Sequence, residues 1–284
     1  MISYAGFKYT NSQNIGDYIQ SLAVEQFFPR ISKRFERDNL RIIKKTNRKY
    51  LLVTNGWFSH TPELCFPFAP FMIPVFFGFH ITNWNHTHEY VKNENVIDFF
   101  KKYSPIGCRD RFTENKLKEL GVDAYFSNCM TLTFPHRDFT PSKTTFIMVD
   151  VPFLKISDQM LSQSEFFTHT FPEVYPEREK FALAKLLIEH YRKKASAVIT
   201  TRLHCALPCL AMGIPVLFIG NEKDTRFSSL SELHVKIYHP SELSDYSKWD
   251  ELFYRDFDFI ESKKSKMKCL FEKHLLQIER LLES

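Results

Sequence analysis

The hydrophobic pattern of this chain alternates between helical spacing and short β-rich runs. Apolar residues recur at helical spacing from Tyr18 to Phe28, whereas Leu51 to Thr54 form a continuous β-rich run that Asn55-Gly56 ends. Alternation of this kind is typical of α/β proteins, in which helices connect parallel strands. The pattern therefore predicts an α/β fold with a largely parallel sheet.

The second half of the chain shows this alternation most clearly. Strands are predicted at 145–149, 166–169, 197–200 and 215–219, with helices at 155–162, 176–194 and 204–212 between them. Elsewhere the pattern predicts strands at 73–78 and 123–126, helices at 91–103 and 111–120, and a final amphipathic helix at 259–282. The order in the second half predicts a doubly wound half-sheet.

Polar residues and prolines interrupt the apolar pattern between Pro135 and Lys143. The chain has 284 residues, and a domain commonly holds roughly 100 to 200 residues. We therefore predict an N-terminal domain over 1–139 and a C-terminal domain over 140–284. The apolar stripe of the final helix is predicted to pack back on the N-terminal half.

Composition narrows the class of protein. Hydrophobic residues make up 44% and charged residues 25%, with only 8 Gly and 14 Pro. Together these values exclude collagen-like and low-complexity proteins and argue against intrinsic disorder. The 38 Lys and Arg exceed the 33 Asp and Glu by a formal charge of +5, which suits an anionic small molecule or contact with anionic lipid. Nucleic acid is not indicated, because no single element concentrates the basic residues.

The chain is predicted to be cytoplasmic. The N-terminal residues lack the apolar stretch of a signal peptide, and three prolines interrupt the longest apolar run, 66–79. The six cysteines show neither zinc-site pairs nor disulfide density. We interpret His86-Thr87-His88-Glu89 as coincidence, so no metal is predicted. The lysines of the final helix leave peripheral contact with the inner face of a membrane as an alternative.

The segment 198–216 carries the clearest chemistry. A predicted strand ends at Thr200, and Arg202 and His204 follow at the start of a predicted helix. Open α/β sheets bind ligands at the carboxyl ends of their strands, where helix amides and an arginine fork favour an anion. An anion site is therefore predicted here. The alternative is that Arg202 pairs with a carboxylate and His204 only caps the helix.

This segment also resembles a known family. Arg202-Leu203-His204, a helix of small residues and Gly213-Ile214-Pro215-Val216 together resemble the polysaccharide pyruvyl transferase family. Further blocks similar to the family stand in order at Asn14-Ile15-Gly16-Asp17, at 55–58 with 74–80, and at 106–111 with 120–122 and 127–133. The resemblance extends from about residue 5 to about residue 235.

The resemblance implies two Rossmann-like halves in a glycosyltransferase B-like arrangement, with the active cleft between them. The N-terminal half is then expected on the acceptor side, and the C-terminal half, with Arg202 and His204, is expected to bind the donor. It also implies transfer of pyruvate from phosphoenolpyruvate to a sugar of a surface polysaccharide, or of its lipid-linked precursor, as a ketal. Phosphoenolpyruvate is then the donor substrate, and no metal or nucleotide cofactor is expected.

Roles for individual residues follow from this chemistry. Arg202 is expected to hold the donor, and His204 to act as general acid or as phosphate ligand, since an imidazole can be charged or neutral near neutral pH. Asp17 is the candidate general base, with helix capping as the alternative. The remaining predicted substrate-binding residues are Asn14, Gly16, Arg109, Arg226 and His169.

Two other functions remain open. A nucleotide-sugar glycosyltransferase would use the same helix start for a diphosphate, and Glu222 or Asp224 could then bind the ribose. A non-catalytic saccharide-binding relative is the second alternative. Cys129 stands where many family members carry Asp, which puts an acidic function at that position in doubt.

Overall fold

The computed structural model describes residues 3–44, 46–152, 156–172, 174–243 and 249–283, with side chains up to residue 280. The chain forms two compact units. Unit 1 consists of Met1–Thr10, Gln20–Met130 and Lys266–Ser284, and unit 2 of Asn11–Ile19 and Thr131–Ser265. This division falls at residue 130 rather than 139, and a segment near each end of the chain belongs to the unit formed mainly by the other half.

Unit 1 contains two four-stranded sheets in which every pair of neighbouring strands is parallel. The first has the order β2-β1-β3-β5, with β1 Ser3–Lys8, β2 Lys33–Glu36, β3 Tyr50–Val53 and β5 Met72–Val75. The second has the order β4-β6-β7-β8, with β4 Gly56–Trp57, β6 Phe79–His80, β7 Ile106–Cys108 and β8 Ala124–Phe126.

The helices of unit 1 cover a core made largely of phenylalanine. They are α2 Pro62–Cys65, α3 Asn85–Val91, α4 Glu94–Lys102 and α5 Arg111–Glu119. The rings of Phe58, Phe66, Phe76, Phe79 and Phe100 are fully buried and contact one another at tilted or edge-on angles. Such rings bury a large apolar area, so this cluster is a main source of stability for unit 1.

Unit 2 is built on one five-stranded sheet whose strand pairs are all parallel. Its order is β10-β9-β11-β12-β13, with β9 Phe146–Val149, β10 Ser164–Phe167, β11 Ala197–Thr200, β12 Val216–Ile219 and β13 Ile237–Tyr238. Its helices are α6 Asp158–Ser162, α7 Glu177–Lys194, α8 Leu203–Ala211 and α9 Ser228–Ser231.

Two helices contribute residues to both units. Helix α1, Ile15–Glu25, begins in unit 2 and ends in unit 1, and helix α10, Phe257–Glu283, does the same. Within unit 1, Phe271 of α10 packs edge-on against Phe27 and Phe77, with ring centroids 5.0 and 5.2 Å away.

The predicted α/β class with parallel sheets is confirmed. The strands predicted in the second half are all present, and β11 has the predicted limits, whereas the first half departs more from prediction. Of the helix predicted at 91–103, α4 covers Glu94–Lys102, and it begins there because the Asn93 side chain accepts the Asn95 amide and caps it. Val91 instead ends α3, which begins at Asn85. Lys155, at the predicted start of one helix, lies outside the described residues, as does the Leu282 side chain.

Among the helices described, none is long and apolar enough to cross a membrane.

Candidate functional site

The polar residues that follow β9, β10 and β11 meet at one edge of the unit 2 sheet. These three strands are adjacent and parallel, so their carboxyl ends lie on the same side. Asp150 follows β9, Thr170 lies three residues after β10, and Arg202 lies two residues after β11. This is the edge at which open α/β sheets bind their ligands.

Arg202 is held in one direction by two side chains at this edge. Its Nε donates to Oδ2 of Asp150 at 2.8 Å, and its Nη2 donates to Oγ1 of Thr170 at 2.9 Å. The side chain is still 38% exposed. Among the described residues, Nη1 has no hydrogen-bond partner, so the guanidinium can still donate to an anion.

The carboxylate of Asp150 is positioned to accept hydrogen bonds from several donors. Its φ of 51° lies in the left-handed region, which aspartate adopts more readily than most residues. Its Oδ2 also accepts the backbone amide of His169 at 2.8 Å. Partial burial would raise its pKa, but hydrogen bonds from Thr168 and from the His169 amide, with the charge of Arg202, hold that pKa below the usual value. Asp150 is therefore ionised at neutral pH.

His204 lies in the first turn of α8, against the loop that starts α1. Arg202 is the N-cap residue of α8, and its backbone amide donates to Oγ1 of Thr200. A methyl group on Gly16 would come within 2.9 Å of Nδ1 and 3.2 Å of Cβ of His204. Gly16 thus permits the imidazole to approach the backbone of this loop closely.

The loop is attached to the sheet edge by backbone hydrogen bonds. Asn14 forms an antiparallel bridge with Thr170, and the Ile15 amide donates to the carbonyl of His169 at 2.9 Å. The Asn14 side chain in turn accepts the amide of Gly16 at 3.0 Å. Loop, Thr170 and Arg202 therefore form one connected structure.

Ser12 connects Asp17 to a buried lysine on α7. Its hydroxyl donates to Oδ2 of Asp17 at 2.6 Å, and its carbonyl accepts from Nζ of Lys180 at 2.8 Å. Lys180 is 2% exposed and Asp17 is 6% exposed. A buried ammonium adds positive charge close to the loop, in a region where water screens it little.

Behind the sheet edge lies a layer of fully buried groups. Nε2 of His169 is 2.9 Å from the hydroxyl of Tyr191, and the two rings are stacked. Burial lowers the pKa of His169 to about 4, so this imidazole is neutral at pH 7. Burial also raises the pKa of Tyr191, and of Cys209 in the same helix as His204, well above the usual values.

The structure brings together five of the eight predicted site residues: Asn14, Gly16, Asp17, Arg202 and His204. His169 adjoins them through its backbone, while its side chain lies in the interior. Asp17, expected in the N-terminal domain, belongs to the same unit as His204.

The two remaining predicted residues, Arg109 and Arg226, each pair with another side chain. Arg109 belongs to unit 1, where it is 3% exposed and donates to Oε1 of Gln20 at 3.2 Å. Arg226 lies in the segment after β12, and its Nε and Nη2 both donate to the carboxylate of Asp224. This bidentate pair also occupies Asp224, one of the two acids considered for a ribose.

Cys129 is buried in unit 1, beside the side chain of Asn55. Oδ1 of Asn55 accepts the Met130 amide at 3.2 Å and the Cys129 thiol at 3.5 Å. The position therefore serves a buried hydrogen-bond network. Across the residues that the structure describes, no three His, Cys, Asp or Glu side chains gather as metal ligands.

Sequence reasoning missed Asp150, Thr170 and Lys180. Asp150 directly follows the predicted strand 145–149, so its place at a carboxyl strand end was a usable signal. Lys180 and Thr170 gave no comparable signal, because a lysine within a helix and a threonine within a loop are ordinarily exposed.

Comparisons with known proteins give one functional finding. The family model described as polysaccharide pyruvyl transferase matches residues 14–223, a span that includes the loop at Gly16 and the Arg202–His204 segment. No curated protein matches the chain significantly.

Two solved structures are similar at low identity. A functionally uncharacterized protein from Klebsiella pneumoniae aligns with a TM-score of 0.47 and 14% identity, over 81% of this chain and 87% of its own. The glycosyltransferase SnogD from Streptomyces nogalater aligns with a TM-score of 0.36 and 9% identity, over 100% of this chain and 99% of its own. Both scores are below 0.5, so neither similarity bears on function.

Proposed function

The chain belongs to the polysaccharide pyruvyl transferase family, and from that membership we propose that it transfers pyruvate from phosphoenolpyruvate to a saccharide. The pyruvate then forms a ketal with two hydroxyl groups of one sugar.

One observation supports an anionic donor above all: Arg202 and His204 stand together at the amino end of α8, beside the Gly16 loop. Phosphoenolpyruvate carries a carboxylate and a phosphate ester on one carbon, so its site needs several converging donors. The unused Nη1 of Arg202, the imidazole of His204 and the amides of the first helical turn can supply them. Asp150 and Thr170 fix the guanidinium before the donor arrives, which lowers the entropy cost of binding.

The proposed reaction begins with a proton transfer to the methylene carbon of the donor, for which His204 is the proposed acid. A sugar hydroxyl adds to the resulting cationic carbon and loses its proton, and the bond to the phosphate oxygen breaks. The second hydroxyl then adds and loses its proton in turn. One released proton replaces the one used on the methylene carbon, and the other leaves with inorganic phosphate.

Asp17 is the proposed general base for the hydroxyl groups. Its carboxylate is fixed by the Ser12 hydroxyl at the first turn of α1, so it needs no rearrangement before accepting a proton. We further propose a cytoplasmic reaction that needs no metal or cofactor. The acceptor would be a sugar of a surface polysaccharide, and when it is lipid-linked the reaction would take place at the inner face of the membrane.

A thermal-shift panel tests the donor. The probes are phosphoenolpyruvate, UDP-sugars, GDP-sugars and CMP-sialic acid, each added to wild type, to Arg202→Ala and to Arg255→Ala. Arg255 is a matched control in the same unit, because it is also half-exposed and also pairs with an aspartate, Asp250. A ligand at a hundred times its dissociation constant stabilises a protein by about 2.7 kcal/mol, which such an assay detects.

We expect phosphoenolpyruvate to stabilise wild type and Arg255→Ala, and the stabilisation to fall sharply in Arg202→Ala. Because a charge-assisted hydrogen bond is worth about 1.5 to 3 kcal/mol, the same substitution should reduce transfer by about tenfold to a hundredfold. A response to a nucleotide sugar alone would instead indicate a glycosyltransferase. Stabilisation by phosphoenolpyruvate with no ketal product from any acceptor would indicate the non-catalytic relative.

A further inference from the structure

Unit 1 carries a cluster of aromatic and polar side chains just after the ends of several strands. Tyr9 directly follows β1, Arg37 directly follows β2, Trp57 ends β4, and Trp84 lies four residues after β6. Strands β1 and β2 are parallel, as are β4 and β6. The cluster thus lies at carboxyl ends of parallel strands, where α/β proteins place ligand sites.

Trp57 is the centre of this cluster. The Arg37 guanidinium lies 5.5 Å from its ring and 5.1 Å from the Tyr9 ring, and Asp38 holds the guanidinium through two hydrogen bonds of 2.9 Å. The Trp84 ring meets Trp57 edge-on, with centroids 5.3 Å apart. Cation–π and edge-on contacts of this kind stabilise a fixed ring arrangement.

Trp84 presents its indole to solvent. It is 42% exposed, whereas the other two tryptophans of the chain are partly or fully buried. His60 adds a second exposed ring, since its side chain is 59% exposed and stacks on Trp57 with centroids 6.0 Å apart. The exposed tryptophan is thus part of a cluster of neighbouring rings, and contiguous exposed patches of this kind are candidate binding sites.

Ser59 connects the two loops that carry these rings. Its hydroxyl accepts the Thr82 amide at 2.7 Å, and its carbonyl is 3.1 Å from Nε2 of His86 and 3.2 Å from the Thr87 hydroxyl. The Ser59 side chain is fully buried. Trp57 and Trp84 are therefore held at a fixed spacing before any ligand binds, which favours affinity.

The polar groups around the rings are mixed rather than cationic. They include the Arg37 guanidinium, which Asp38 holds, and the exposed imidazole of His60. The Asp38 carboxylate, 22% exposed, lies 4.0 Å from Nδ1 of His60. A phosphate would meet the Asp38 charge here, which favours a ligand without negative charge.

A pyranose ring fits this combination. One face of the ring presents C–H groups with partial positive charge, which the negative face of an indole attracts, and its hydroxyl groups both donate and accept. We propose that Trp84, His60 and Trp57 form a saccharide subsite, and that it holds a neutral pyranose of the acceptor. The identification of this sugar as the acceptor rests on the proposed function, whereas the binding itself does not.

Saturation-transfer NMR with a panel of methyl hexopyranosides of gluco, galacto and manno configuration tests the subsite. The variants are Trp84→Ala, Trp84→Phe and Phe139→Ala, the last a control because Phe139 is also 42% exposed but lies in unit 2. We expect at least one pyranoside to bind wild type, with saturation concentrated on the protons of one ring face. Trp84→Ala should weaken that binding by about fivefold to tenfold, while Trp84→Phe and Phe139→Ala should retain most of it.

Binding that Trp84→Ala leaves unchanged would overturn the proposal, and so would the absence of binding by every pyranoside in the panel. An equal loss in Phe139→Ala would also overturn it. The phosphoenolpyruvate thermal shift of the same variants separates this result from the proposed function. If the donor still stabilises Trp84→Ala but pyranoside binding does not depend on Trp84, only the subsite is wrong. If the donor never binds but Trp84-dependent pyranoside binding persists, only the proposed function fails.

Discussion

Arg202 shows how a single arginine can be part of an ion pair and still available to a ligand. In an ordinary surface pair the carboxylate neutralises the arginine and the site does nothing more. Here Nε of Arg202 donates to Asp150 and Nη2 donates to Thr170, so the remaining edge of the guanidinium has a fixed direction. The two readings of Arg202 that the sequence left open, partner of a carboxylate and binder of an anion, are therefore compatible.

Gly16 gives the sharpest structural test at the residue scale. In Gly16→Ala the new methyl group would lie 2.9 Å from Nδ1 of His204, so the imidazole or the loop must shift. We expect transfer to fall by about tenfold or more, because misplacement of a catalytic group by about 1 Å costs that much. Gly56→Ala is the matched control, since its methyl group would meet only the Phe58 ring, at 3.5 Å. Steady-state kinetics of both variants measure the effect, and equal activities would contradict a role for His204 at this place.

Substitutions at Asp17 and Ser12 distinguish a catalytic role of Asp17 from a role in holding the loop. Asp17→Asn keeps an oxygen that can accept from Ser12 but removes the base, so we expect kcat to fall by about a hundredfold or more. The thermal shift with phosphoenolpyruvate should persist in this variant. Ser12→Ala is the complementary change, because it removes the hydrogen bond and leaves the carboxylate. A larger loss of kcat in Ser12→Ala than in Asp17→Asn would assign Asp17 to the loop alone.

At the scale of elements, the segment 145–219 was the most predictable part of the chain. Buried central strands such as β11 are continuous apolar runs, and Gly213 and Pro215 mark the turn before β12 clearly. Strand β2 was not predicted, because Lys33 and Arg34 give it the appearance of a solvated basic stretch. It forms at the edge of a sheet, where Arg34 pairs with Glu25 and charged residues are tolerated.

The hydrophobic pattern predicted the candidate site only where one segment carries it, whereas Asn14, Gly16 and Asp17 were predicted from the family resemblance. Arg202 and His204 stand in one segment, so strand and helix signals placed them together. Asp150 and Thr170 reach Arg202 from other strands, over 52 and 32 residues of sequence, and hydrophobic periodicity contains no information about such pairs. The saccharide subsite was missed for the same reason, because Trp84 lies in a different loop from Trp57 and His60.

Helix α7 contributes to the site through one buried lysine, and this gives a prediction at the element scale. Lys180→Met removes the hydrogen bond from Nζ to the Ser12 carbonyl but keeps most of the buried volume. We expect faster amide hydrogen exchange over residues 12–17 and weaker stabilisation by phosphoenolpyruvate, because the loop is held less firmly and loses a nearby charge. Lys185→Met changes an exposed lysine of the same helix and should leave both unchanged. Unchanged exchange in Lys180→Met would show that α7 does not hold the loop.

At the scale of the whole molecule, we expect a lower pH to reduce the free energy of unfolding of both units, because each contains a buried neutral histidine. Burial lowers the pKa of His169 in unit 2 and of His274 in unit 1 to about 4. In the unfolded chain an imidazole takes up a proton as the pH falls through about 6.5, while the folded protein cannot do so until about pH 4. The unfolded state therefore binds more protons in this window, and the free energy of unfolding decreases as the pH falls from 6.5 to 4.

These shifts correspond to about 2 kcal/mol of lost stability per histidine between pH 7 and pH 5. Urea unfolding of wild type, His169→Phe and His274→Phe at both pH values measures it. Each variant should lose about 2 kcal/mol less than wild type over this interval, whatever its stability at pH 7, because the comparison is made within one protein. His239→Phe, which changes an exposed histidine, should keep the wild-type difference. If His274→Phe reduced the loss of stability between pH 7 and pH 5 but His169→Phe did not, the imidazole of His169 would have to be charged in the folded protein. Its placement as a neutral group behind Asp150 would then be wrong.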